Sequence, residues 1–209
     1  MNAKNPLLCR PKSAGKFWEK IYSAKIPAVA INNFKWHEKA FLSGITPKTK
    51  VLEIGAGSGR LVEFLLKRTN LRPENLAIAD LTYGTIFSPA LKRKVYSLVA
   101  KGKIRILSDN FESRNKPFLG GEKFDKIILS NFFVVKPKVP AEGVLSEHMH
   151  QFRWSFENLF PLMKVNGELF ISEVRRPSGK FLSLLDKWSD EGRIKWDFHE
   201  KAIWIKCLK

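Results

Sequence analysis

The stretch Val51-Leu52-Glu53-Ile54-Gly55-Ala56-Gly57-Ser58-Gly59-Arg60 decides the fold. An apolar run, opened by Lys50, ends in Gly-x-Gly-x-Gly and passes into a segment with an apolar stripe. That order reads as a buried strand, a tight loop and a helix. Glycine reaches positive φ at little steric cost and lets a ligand approach the backbone with no Cβ in the way. Open α/β sheets bind ligands outside the carboxyl ends of their strands, where such a loop lies. Spacing argues against two phosphate-binding loops. A dinucleotide fingerprint needs Gly-x-Gly-x-x-Gly, but here the third glycine comes one residue early and Arg60 fills its place. A P-loop needs a Gly-Lys-Ser/Thr ending, which is absent. Glu53, just before the glycines, repels a pyrophosphate and attracts a cationic ligand.

Downstream the chain alternates. Arg60–Thr69 predicts a helix striped by Leu61, Phe64 and Leu65, and Asn75–Asp80 predicts a second strand. Ser88–Ala100 predicts a helix with Ser88 as N-cap, Pro89 at its first position and Gly102 as stop. Lys103–Leu107 and Phe124–Ser130 read as strands, Ser146–Met163 as a helix, Gly167–Val174 as a fifth strand and Phe181–Trp188 as a helix. Arg193–Phe198 and Ala202–Leu208 alternate about a polar break at His199–Lys201, which predicts an antiparallel hairpin. Strands separated by helices imply parallel βαβ units. The expected fold is α/β: a doubly wound, seven-stranded, mostly parallel sheet with helices on both faces and an antiparallel C-terminal hairpin. Upstream, residues 1–44 read as a basic arm and helical extension, with helical patterns at Lys16–Ala24 and Asn33–Leu42 broken by Pro6, Pro11 and Pro27. Residues 45–209 form the ligand-binding domain.

From about Asn33 onward, these features resemble the class I S-adenosylmethionine (SAM)-dependent methyltransferases. Their acidic-x-Gly-x-Gly-x-Gly motif is matched from Glu53 to Gly59. The resemblance implies that Glu53, Gly55, Ala56, Gly57 and Gly59 surround the amino acid end of SAM. The chemistry agrees, since SAM carries an ammonium and a sulfonium that a carboxylate attracts. The family's acidic residue at the end of strand two is matched by Asp80, with Leu81 after it, which implies a hold on the ribose hydroxyls. Charge-assisted bonds to vicinal hydroxyls are strong and directional. The family's Asp after strand three is matched by Asp109, which implies contact with the adenine amino group, with Asn110 and Phe111 next to it beside the ring. Taken singly, Asp80 and Asp109 also read as turn formers. Lys164-Val165-Asn166-Gly167 stands where the family has a Gly-Gly turn before strand five, and Asn, like Gly, tolerates the left-handed region. The implied cofactor is SAM and the implied product S-adenosylhomocysteine (SAH).

The residues after strand four, here Ser130-Asn131-Phe132-Phe133, set the acceptor. Methyltransferases that act on the amino group of adenine, or on a glutamine amide, carry Asp/Asn/Ser-Pro-Pro-Tyr/Phe at this place; here both prolines are missing, which argues against an adenine-N6-like activity. Ser130 and Asn131 are candidates to face the cofactor; the alternative is that they simply end the strand. The Pro-rich stretch Val134–Val144 reads as a substrate lid, and His148, close to His150, as a candidate general base or a surface histidine. Lys136, Lys138, Arg175 and Arg176 come after strands four and five, where an acceptor docks. Arg10, Lys12, Lys16 and Lys20, interleaved with Phe17, Trp18 and Tyr22, suit a phosphate backbone with stacked bases.

Charge points the same way. Lys and Arg number 37 against 20 acids, for a net charge of +17. Such an excess favours a polyanion, RNA first, although a lysine-rich proteome also produces it. A small-molecule or protein acceptor, with Trp18 and Trp36 lining a closed pocket, is the alternative, and a binding subunit without chemistry is a third. Cys9 and Cys207 stand at opposite ends and there are four His, so neither a disulfide framework nor a zinc site is expected. No apolar run approaches the ~20 residues of a membrane span, and the N-terminus lacks the apolar core of a secretory signal, a transit peptide being the weaker alternative; the cysteine usage suits a reducing cytoplasm.

Overall fold

The computed structural model describes residues 42, 44–56, 59–79, 93–107, 121–130, 159–172, 179–199 and 202–209. Seven strands form one sheet: β1 (Val51–Ile54), β2 (Leu76–Ala79), β3 (Arg105–Leu107), β4 (Phe124–Ser130), β5 (Met163–Ser172), β6 (Ile194–His199) and β7 (Ala202–Cys207). Their order across the sheet is β3-β2-β1-β4-β5-β7-β6. The first five are parallel, and β7 runs antiparallel to both β5 and β6. The order reverses between β1 and β4, and at such a switch point a crevice opens beyond the carboxyl ends of the strands.

Strand side chains alternate between two faces. One face carries Leu52, Ile54, Ile127, Leu129, Leu169, Ile171, Ile203 and Ile205, packed with Phe181, Leu185 and Trp188 of helix α3 (Gly179–Asp190). The other carries Val51, Leu76, Ile78, Ile128 and Phe170, packed with Leu61, Val62 and Leu65 of α1 (Arg60–Arg68) and Val95 of α2 (Arg93–Ala100). The sheet thus has a separate core on each side, as a doubly wound fold requires.

Several boundaries differ from the sequence reading. The fifth strand begins at Met163, not Gly167, so Met163 is not helical as the reading of Ser146–Met163 expected; a 3-10 turn at Phe160–Leu162, which contains Pro161, precedes the strand. The cause is a register shift: Phe124 pairs with Met163 and Lys126 with Glu168, so the Lys164–Gly167 turn is folded into the strand as a bulge. Asn166 takes φ 63° there, as expected of an Asn standing in for Gly. Gly167 is obligatory, because a Cβ on it would meet the Lys164 carbonyl oxygen at 2.8 Å. The helix expected at Phe181–Trp188 runs from Gly179 to Asp190, and the hairpin break narrows because His199 belongs to β6. The arm at 1–41, the segment at 80–92 with Ser88 and Pro89, and the stretch at 146–158 expected to be helical lie outside the described residues.

Candidate functional site

Ile54 pairs with both Ala79 and Leu129, so β1, β2 and β4 reach their carboxyl edge at one level. The glycine bend leaves that edge from β1. Gly55 has φ 77°, and its N–H donates to the Ala79 carbonyl at 2.8 Å. The Ala56 N–H donates to the same oxygen at 3.4 Å, and its methyl is 6% exposed in the core. The Ala56 carbonyl then accepts from the Gly59 N–H at 2.8 Å, which closes a four-residue turn. Gly59, at φ 73°, is the N-cap of α1 and makes no side-chain cap bond. A glycine there leaves the amino end of the helix, with its first N–H groups and partial positive charge, open to an anionic group.

Glu53 stands in the strand below the bend, level with Ile78 and Ile128, and is 1% exposed. By the alternation of β1 it lies on the α1 side. A carboxylate so deep is costly to keep charged unless a cation or hydrogen-bond donors meet it. Ser130 ends β4 opposite Ser172 of β5, on the strand next to β1. Glu53, Gly55, Ala56, Gly59 and Ser130 are therefore gathered at one end of the sheet's centre. Gly57, Asp80, Leu81, Asp109, Asn110, Phe111, Asn131, Lys136, Lys138, His148, Arg175 and Arg176 lie outside the described residues. The sequence reading missed the Ala79 carbonyl, which ties the bend to β2.

Two described acids, Glu122 and Asp125, stand at the opposite, amino edge. Arg105 makes a two-pronged bond to Glu122, Nη1 to Oε2 at 2.5 Å and Nη2 to Oε1 at 3.0 Å, and Lys50 Nζ donates to Glu122 Oε1 at 3.1 Å. Asp125 accepts from the Lys50 N–H and from Lys164 Nζ, each at 2.8 Å. The Arg105 hydrogen bond holds the Glu122 carboxyl below its ordinary range; burial opposes this and Lys50 adds to it. Deeper in the sheet, Lys126 Nζ donates to Glu168 Oε2, a pair with side chains 6% and 17% exposed. Glu63 binds Lys67 at 3.2 Å, and Glu191 pairs with Lys187 and Arg193. Many described acids are thus committed to partners within the chain. Among the described residues no helix is long and apolar enough to cross a membrane.

No family model matches the sequence. A stretch of a highly reducing polyketide synthase from Emericella nidulans is 25% identical over 178 residues, 80% of this chain. The match spans 6% of the length of that protein. Among solved structures, a candidate S-adenosyl-L-methionine-dependent methyltransferase from Methanococcus maripaludis is similar at TM-score 0.54 and 12% identity, over 96% of this chain and 97% of that one. A protein described as a ribosomal RNA methyltransferase from Plasmodium falciparum gives TM-score 0.53 and 14% identity over 88% and 96% of the two chains. The plantazolicin methyltransferase, solved with a substrate analogue and SAH, gives TM-score 0.53 and 10% identity over 92% and 90%. At these identities the likeness is one of fold.

Proposed function

We propose that this chain, whose fold is that of the class I SAM-dependent methyltransferases, transfers the methyl group of SAM to RNA. The observation that carries the cofactor half is the bend at the end of β1, with its two positive-φ glycines and an uncapped helix behind it. The residues fit the amino acid end of SAM. Gly55 and Gly59 put no side chain into the bend, the amino end of α1 suits a carboxylate, and Glu53 suits an ammonium. We assign Asp80, with Leu81, to the ribose and Asp109, with Asn110 and Phe111, to the adenine. When bound, SAM supplies a methyl group on a sulfonium, a leaving group that needs no further activation. The protein's share is to hold the acceptor in line and keep water out. Ser130 and Asn131 take the acceptor side, His148 receives a proton, and Lys136, Lys138, Arg175 and Arg176 meet phosphates.

RNA is supported by the net charge of +17, which favours a polyanionic acceptor. A small-molecule acceptor is the second reading, favoured by the likeness to part of a polyketide synthase. The test supplies labelled SAM with total RNA and, separately, with a metabolite extract. Label entering RNA, together with RNA affinity that falls steeply with salt, supports the first reading. Label entering only small molecules rejects it in favour of the second. Asp80→Ala is expected to weaken SAM binding about tenfold or more, as loss of a charge-assisted bond does. Unchanged affinity in calorimetry would remove Asp80 from the ribose.

A further inference from the structure

The two edges of the sheet differ. β3 is three residues long, whereas β6 runs for six, and among the described residues it pairs with β7 alone. A bare edge of that length is a template for another strand. The register fixes which of its main-chain groups face outward. The Leu208 N–H donates to the Arg193 carbonyl at 2.9 Å, and Ile194 stands opposite Cys207. Hydrogen-bonded and non-hydrogen-bonded pairs alternate in an antiparallel ladder. Arg193, Lys195 and Asp197 therefore turn their N–H and C=O groups toward β7, and Ile194, Trp196 and Phe198 turn theirs away from it. Consistent with this, the Phe198 N–H donates at 2.7 Å to the Asp197 carboxylate.

We infer that β6 pairs with β6 of a second copy of this chain, antiparallel, about a two-fold axis at Trp196. Three features meet in that register. Outward main-chain groups meet outward groups, since Trp196 faces its own copy and Ile194 faces Phe198. Ile194, Trp196 and Phe198 lie on the α3 side of both copies, so apolar meets apolar. Lys195 and Asp197, both exposed, lie on the opposite side, and each meets the other's copy. Within its own chain Lys195 stands opposite Lys206 and Asp197 opposite Trp204, and neither makes an ion pair among the described residues. In the dimer the Asp197 carboxylate exchanges the Phe198 N–H for Lys195 of the second copy, and that N–H passes to the Ile194 carbonyl opposite it. The neighbouring registers, centred on residue 195 or 197, put Lys195 against Lys195 or Asp197 against Asp197, which disfavours them. Such an interface is self-complementary, as two-fold symmetry requires.

Analytical ultracentrifugation of the full chain tests this. The wild type is expected to reach twice the monomer mass of 24.0 kDa as concentration rises. Asp197→Lys and Lys195→Asp each replace two opposite-charge pairs with like-charge pairs and are expected to weaken the dimer about tenfold. The double variant Lys195→Asp/Asp197→Lys restores the pairing with signs exchanged and is expected to regain most of the affinity. β6 lies four places from β1 in the sheet, so binding of SAM is expected to stay unchanged in all three. A wild type that remains monomeric overturns the inference. So does a dimer indifferent to the single changes, or one that the double change fails to restore.

Discussion

Gly55 and Gly59 hold φ values of 77° and 73°, so a side chain at either is strained before any contact is made. Left-handed backbone costs an L-residue about 1–2 kcal/mol. Gly59→Ala is therefore expected to lower stability by about that amount in a urea titration and to weaken SAM binding in calorimetry. A variant with wild-type affinity would show that the bend does not hold the cofactor. Glu122 gives a prediction with a sign. Its carboxyl titrates below the ordinary range, chiefly through the Arg105 hydrogen bond. A carboxyl depressed in the folded state stabilises the fold fully above its unfolded pKa, about 4.3, and this is lost as pH falls through the folded value. Glu122→Gln should thus be less stable than wild type at neutral pH, and the gap should close below about pH 4. A gap independent of pH in denaturation measured across that range would refute the linkage.

The pairing of β4 with β5 rests in part on Lys126 and Glu168, which meet across a bulge with side chains 6% and 17% exposed. Removing Lys126 takes away the cation that meets the Glu168 carboxylate in the sheet, and such losses run to about 3–5 kcal/mol. Lys126→Ala should show a loss of that order in chemical denaturation, while Lys126→Met/Glu168→Leu should recover most of it. The same bulge shows where sequence reading stops. β1, β2 and β4 were legible because each is a short apolar run, buried on both faces. The start of β5 was not, because Lys164-Val165-Asn166-Gly167 carries turn chemistry that the strand absorbs without leaving the ladder. Helix α3 was read short because Gly179 and Lys180 at its start, and Ser189 and Asp190 at its end, carry no apolar stripe. At the site, the glycine motif with Glu53 was plain in the sequence, but its tie to β2 was invisible. A main-chain acceptor such as the Ala79 carbonyl leaves no mark on residue type.

The whole molecule is one sheet with a separate core on each face, and Phe170 and Phe181, both 0% exposed, anchor the two sides. Because the same strands supply both cores, the two sides should unfold together. Phe170→Ala and Phe181→Ala are each expected to cost about 3–5 kcal/mol and to lower a single calorimetric transition. Two resolved transitions in either variant would mean that the faces melt independently. The placement of β7 has a kinetic consequence. It comes after β6 along the chain yet lies between β5 and β6 in the sheet. β6 and β7 are separated by two residues along the chain, so the two can pair with each other as a hairpin before β7 docks on β5. The chain's last strand then joins the sheet while the one before it is carried to the rim.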